Sequence, residues 1–278
     1  MTRCFAWGLC WFVVAIASRG AAEEPAAVDP ALPAADEVRR PAGEVSPDEV
    51  GWICLIGPQG PQGMAAVGKN LTVCGDAQLR PQSRELAAVP GVGVVAALTR
   101  FDDSENSNLV SKEDYGDCEV YLEFLLAQGS NSGVKLQHRY EIQLYDSYGK
   151  QQPTARDCGG IYPHWVFKRG GGLDYIDQGV PPQLNAAKPA GRWQALHIVF
   201  AAPRFDGEGQ KTQHARFVSV VLNEQEIHRD IPLESPTGNA SSPLPEVPAA
   251  PLFLQLDHGP VAFRDVRIKP RDSRPGSP

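Results

Sequence analysis

The stretch Glu119-Val120-Tyr121-Leu122-Glu123-Phe124-Leu125 alternates apolar and polar side chains. Val120, Leu122 and Phe124 share one face; Glu119, Tyr121 and Glu123 share the other. Further on, Tyr140-Glu141-Ile142-Gln143-Leu144 repeats the pattern, with Tyr140, Ile142 and Leu144 opposing Glu141 and Gln143. A period of two belongs to a strand with one face on a core and one toward water. Strand candidates also fall at 132–137, 193–201, 215–222, 252–257 and 261–268. Gly, Pro and Asn turns separate these segments, and no convincing amphipathic helix is visible. Many antiparallel strands with long connections predict an all-β chain, a two-sheet antiparallel sandwich of jelly-roll type.

Composition agrees. The 278 residues include 27 Gly and 25 Pro, which interrupt helix interiors and disfavour a bundle or coiled coil. The 42% hydrophobic content suffices for one sizeable core, placed here as a single domain over 48–270. Lys and Arg number 26 against 33 Asp and Glu, a net charge of -7. That balance argues against a nucleic-acid partner, whose phosphates call for a basic patch.

The N-terminus reads as an export signal over residues 1–22. Arg3 precedes the apolar run CFAWGLCWFVVAIA (4–17), and Gly20-Ala21-Ala22 offers a cleavage site. The run is short for a membrane span; an uncleaved N-terminal anchor is the alternative, and no later stretch is long enough to cross. A secreted or periplasmic location follows. Cleavage would remove Arg3, Arg19 and no acid, leaving a charge of -9. The Pro- and Ala-rich segment 23–47 reads as an extended linker, and the tail 271–278 as disordered. Cys54, Cys74, Cys118 and Cys158 remain after cleavage, and an oxidising compartment favours pairing them. Cys54–Cys74 and Cys118–Cys158 are the favoured bridges because each closes a local segment. No Cys-x-x-Cys spacing supports zinc.

The densest polar patch is GSNSGVKLQHRYEIQLYDSY (129–148). Asn131-Ser132-Gly133 is turn chemistry leading into a strand, where Gly133 permits a close approach. Glu141 and Gln143 project from one strand face about 6–7 Å apart, suited to sugar hydroxyls, and Glu141 is a candidate proton acceptor. Arg139 and Asp146 read equally as a framework ion pair. A second patch is Gln255-Leu256-Asp257-His258-Gly259, whose His258 titrates near neutrality. Extending the strand places His258 with Leu254 and Leu256. Tyr162, His164 and Trp165 lie near the Cys158-Gly159-Gly160 loop, where the Tyr and Trp offer stacking surfaces for sugar rings and equally read as ordinary core residues. There is no Gly-x-Ser-x-Gly elbow, His-Glu-x-x-His or calcium-loop spacing.

Taken in order, YGDCEVYLEF (115–124), NSGVKLQHRYEIQLYDS (131–147), CGGIY (158–162), NAAKPAGRW (185–193), FVSVVLN (217–223) and LFLQLDHGPVAFRDVRIK (252–269) resemble the 3-keto-disaccharide hydrolase family. That family is also described as 3-keto-glucoside 1,2-lyase/3-keto-2-hydroxy-glucal hydratase domains. The resemblance spans about residues 95–270 and implies a concanavalin A-like lectin/glucanase sandwich. It also implies a glycoside oxidised at carbon 3 as substrate. A ketone there acidifies the carbon 2 hydrogen, so a base can remove it; the carbon 1 substituent leaves, and water adds. Such a site needs a base, an enolate stabiliser and an acid. The matched positions are Glu141, Gln143, Asp146 and His258, with Asn131, Arg139, Tyr162 and Gln255 around them. Glu141 or His258 is the base; Arg139 or a divalent cation holds the enolate. No other cofactor is implied. His138 and Cys118 depart from the family pattern, standing where a Gly and an aromatic residue are expected. Two rival readings share the sandwich, a non-catalytic carbohydrate-binding module and a structural envelope domain.

Overall fold

The computed structural model describes residues 50–66, 70–99 and 108–271. The expected export signal (1–22) and linker (23–47) lie outside the described residues, as does the tail beyond Arg271.

The chain is all-β. Its strands are β1 (Ile53–Ile56), β2 (Met64–Ala66), β3 (Leu71–Leu79), β4 (Leu86–Ala97), β5 (Leu109–Tyr115) and β6 (Cys118–Leu126). Next come β7 (Asn131–Leu136), β8 (Tyr140–Tyr145), β9 (Trp165–Phe167), β10 (Leu173–Tyr175), β11 (Trp193–Ala201) and β12 (Arg204–Phe205). The last are β13 (Lys211–Gln213), β14 (Ala215–Leu222), β15 (Gln225–Leu233), β16 (Ala250–Gln255) and β17 (Val261–Pro270). One sheet runs β15-β14-β11-β6-β17-β4-β3, with β1 also on β17; the other runs β2-β5-β16-β7-β8. All strand pairs in both are antiparallel. Two hairpins, β9–β10 and β12–β13, stand outside them.

The expected jelly-roll sandwich is therefore what the chain forms, and alternation explains it. Val120, Leu122 and Phe124 of β6 are buried, whereas Glu119, Tyr121 and Glu123 are only half-buried. Tyr140, Ile142 and Leu144 of β8 and Leu254 of β16 fill the same core from the opposite sheet, against Phe124 of β6 and its neighbour Phe263 of β17. Removing these apolar groups from water supplies the main driving force. A smaller cluster of Cys74, Leu86, Val94, Ala96, Leu125 and Ala262 forms on the other face of the larger sheet.

The four cysteines are free, so neither expected bridge is formed. Cys54 pairs with Arg267 across β1–β17, whereas Cys74 lies on β3, beyond β4. Cys118 belongs to β6 in the larger sheet; Cys158 follows β8 of the smaller one, its N–H donated to Ser147 Oγ. Burial pushes the thiols of Cys118 and Cys158 up to about 12, the behaviour of inert core cysteines.

Candidate functional site

Strand register assembles the site. Across β7–β8, Lys135 opposes Glu141 and Gly133 opposes Gln143; across β16–β7, Phe253 opposes Lys135 and Gln255 opposes Gly133. Ile142 also bridges Ile161, which sets Tyr162 beside Glu141, and the Tyr162 N–H donates to the Glu141 carbonyl at 3.2 Å. Phe253, Lys135, Glu141 and Tyr162 therefore form one row across the face turned away from the core. Gln255, Gly133 and Gln143 form the next. At about 4.8 Å per strand, the first row is roughly 14 Å long.

Glu141 is 5% exposed and Gln143 3%. Buried polar groups at this depth need partners. The Lys135 ammonium stands 3.4 Å from Glu141 Oε2, and the Glu141 N–H donates to Thr237 Oγ1. Burial raises the Glu141 pKa, partly opposed by Lys135 and by His258. Gln143 Nε2 donates to Asn131 Oδ1 at 2.9 Å and to the Arg156 carbonyl at 3.4 Å. Gly133 is required here: a Cβ would stand 2.2 Å from Glu141 Oε1.

His258 reaches this face by a route that strand extrapolation misses. β16 ends at Gln255 and the chain bends, so His258 does not join Leu254 and Leu256 in the core. Gly259 lets that bend close onto β7, because a Cβ there would meet Ser130 Oγ at 2.7 Å. The ring Nδ1 bonds Asp257, whose other oxygen accepts the Asn108 amide at 3.2 Å. Gln255 Nε2 lies 3.3 Å from the same ring nitrogen. The bond to Asp257 raises the His258 pKa against the opposing effect of burial. Asp257 is held below the usual carboxylate range: burial opposes this, but bonds from His258 and Asn108 outweigh it. With Nδ1 engaged, Nε2 is left to face a ligand.

Tyr162 forms one wall. Its hydroxyl is 2.9 Å from that of Tyr175, and the Arg156 guanidinium lies 4.9 Å from the Tyr175 ring centroid. At the other end His138 stacks on Phe253 with centroids 4.1 Å apart, and Lys135 lies 5.5 Å from that ring. His138 has φ 58°, the left-handed backbone that a Gly adopts freely, and its ring covers Phe253 at this end of the row. Burial, with the Lys135 and Arg139 charges, lowers its pKa to about 4, so it is neutral at pH 7.

Two candidates belong elsewhere. Arg139 donates to the carbonyls of Pro245 and Gln137, tying down the β7–β8 turn instead of facing a substrate. Asp146 accepts the Gly129 N–H at 2.9 Å. It lines a separate cavity of about 520 Å³ with Arg80, Gln128 and Tyr148. The two therefore anchor different loops and are not the expected ion pair. Conversely, Lys135, Asp257, Tyr175 and Arg156 join the site although the sequence reading assigned none of them to it. Lys135 is the only charged residue of β7, the signal the sequence offers for it. Among the described residues no three His, Cys, Asp or Glu side chains gather as a metal site. With a lysine beside Glu141, this donor set does not fit a divalent ion.

Residues 80–269 match the 3-keto-alpha-glucoside-1,2-lyase-like domain, and the chain belongs to that family. It is thus a carbohydrate-active domain. The match begins earlier in the chain than the resemblance read from sequence. Among solved structures, a candidate glycosyl hydrolase of Parabacteroides distasonis ATCC 8503 is 19% identical, with a TM-score of 0.55 over 80% of this chain and 84% of its own. A second one from the same organism is 20% identical, with a TM-score of 0.48 over 79% and 99%. At such identities the likeness is one of fold. No curated protein matches the chain.

Proposed function

We propose that this domain cleaves glycosides already oxidised to a ketone at carbon 3, by elimination followed by hydration. The observation that carries the reading is the Glu141–Lys135 pair set on one open sheet face with the Asp257–His258 dyad. Glu141 is the base for the carbon 2 hydrogen. Burial raises its pKa and so strengthens it as a proton acceptor near neutrality, while Lys135 keeps the anion accessible. As the proton leaves, charge moves to the carbon 3 oxygen, and the Lys135 ammonium meets it. His258, protonated against Asp257, hands its proton to the oxygen departing from carbon 1. The Glu141 carboxyl exchanges the captured proton with solvent, water then adds across the resulting double bond, and Glu141 returns a solvent-derived proton to carbon 2.

Gln143, Asn131 and Gln255 supply fixed donors and acceptors for ring hydroxyls, and Tyr162 and Phe253 close the two ends. The scheme does not need the paired carboxylates that flank an oxocarbenium centre in ordinary glycosidases. The export signal makes the envelope or the exterior its place of action. Incubation with 3-keto-α-glucosides tests the reading. The native protein should release the aglycone, the Glu141→Gln variant about 10²–10⁴-fold more slowly and the Lys135→Met variant at a reduced rate. Saturable binding without product would instead identify a carbohydrate-binding module.

A further inference from the structure

A second constellation lies beside this site. Ser235 Oγ is 2.9 Å from His164 Nε2, and His164 Nδ1 is 2.5 Å from Asp177 Oδ2. His164 and Asp177 flank the β9–β10 hairpin, and Ser235 comes from a distant part of the chain. His164 precedes β9, Asp177 follows β10, and Ser235 follows β15. We propose that Ser235, His164 and Asp177 form a nucleophilic triad that removes an acyl group from an O-acylated sugar.

The roles follow from connectivity, as they do wherever this arrangement recurs on unrelated folds. Asp177 Oδ1 accepts two backbone N–H groups, from His164 at 3.0 Å and Gly179 at 2.9 Å. Its carboxylate is therefore fixed, and Oδ2 orients the ring. Burial opposes ionisation of Asp177, but the bonds from His164 and Gly179 outweigh it and lower its pKa. The His164 side chain is 26% exposed, so a substrate can reach the Ser235–His164 pair. The flanking segments are braced: the Trp165 N–H donates to the Gly238 carbonyl and the Ala240 N–H to the Trp165 carbonyl, both at 2.8 Å. The Trp165 indole nitrogen lies 3.7 Å from where a Cβ on Gly238 would stand, so it faces the loop that carries Ser235.

Position supplies the substrate class. Tyr162, beside Glu141, is two residues from His164, about 7 Å along an extended chain. Thr237, two residues from Ser235, bonds the Glu141 N–H and the Arg139 carbonyl. Thr237 thus ties the loop that carries Ser235 to the Glu141 strand, and a sugar lying over Glu141 would have its periphery toward Ser235. This choice of substrate rests on the reading above; the triad itself does not.

In the reaction, Ser235 Oγ attacks the ester carbonyl carbon and its proton passes to His164 Nε2. The ester bond breaks, and the sugar oxygen leaves with that proton. Water, deprotonated by His164, then cleaves the acyl-serine, releasing the carboxylic acid and restoring the serine.

The test uses the full chain with a fluorophosphonate probe, p-nitrophenyl acetate and an O-acetylated methyl glucoside. The expected result is one label per chain, on Ser235 by peptide mapping, with acetate released from both esters. Ser235→Ala and His164→Ala should abolish both. Asp177→Asn should slow labelling by about 10³–10⁴-fold and shift its pH dependence, with partial rescue by Asp177→Glu. An unlabelled native protein, label on another residue, or ester hydrolysis that survives Ser235→Ala would overturn the triad. Hydrolysis of the aryl ester alone would overturn the sugar ester as substrate. The fluorophosphonate arm needs no sugar, so its failure is distinct from failure to cleave a 3-keto-glycoside.

Discussion

Lys135 and Glu141 face each other across the β7–β8 pair, the ammonium 3.4 Å from the carboxylate on a face turned away from the core. Both side chains are less than a quarter exposed, the lysine 24% and the glutamate 7% accessible. A carboxylate this deep would ordinarily be protonated; the lysine opposes that and makes a usable base. Lys135→Met should therefore raise the Glu141 pKa further, because it removes the charge that favours the anion. The acid limb of a kcat/KM profile on a 3-keto-glucoside should move to higher pH, with a lower plateau. An unmoved limb would separate Lys135 from the base.

Gly133→Ala tests the close approach beneath Glu141. The added methyl would lie 2.2 Å from Oε1, so the carboxylate must rotate away. Turnover should fall by about 10²-fold or more, because catalysis is lost when reacting atoms move by an ångström. Thermal unfolding checks that the fold survives.

Asp257→Asn should lower the His258 pKa, since the bond to Asp257 is the largest cause of its elevation. NMR titration of the His258 ring reads this directly, and the alkaline limb of the rate profile should move down with it. His258's folded pKa lies above its unfolded value. Its contribution to stability is therefore complete below about pH 6.5 and disappears as pH rises through the folded pKa.

His228 behaves oppositely. It is 1% exposed, its Nε2 lies 2.7 Å from the Gly159 carbonyl, and burial lowers its pKa. Protonation then favours the unfolded chain, so stability is full above about pH 6.5 and falls as pH drops toward the folded value. The slope is at most about 1.4 kcal/mol per pH unit. Urea denaturation between pH 7.5 and 5.5 should show a steeper decline for the native protein than for His228→Gln.

The strands that could be read from sequence are those with one wet face. β6 and β8 alternate because the core takes every second side chain, and the five further segments all contain strands. β4 was hidden for the opposite reason. In LAAVPGVGVVAA, Val95 packs in the main core while Val94 and Ala96 pack in the smaller cluster, so both faces are apolar. Its Pro and Gly residues further mask the strand. Glu141 and Gln143 were found because they interrupt a core-facing strand at the correct period. Lys135 and Asp257 were not, because their value depends on cross-strand register and on a bend after Gln255. Nor does spacing alone show that Arg139 and Asp146 are taken up by loops at opposite ends of one hairpin.

The most direct measurement is the isotope content of the product made in D₂O from a 3-keto-α-glucoside. Elimination and hydration predict one deuterium at carbon 2 of each released 3-keto-glucose, above a control for spontaneous exchange of the product. Glu141→Gln should release product about 10²–10⁴-fold more slowly. Product formed at the native rate with only hydrogen at carbon 2 would contradict proton abstraction and leave Glu141 without the role given to it.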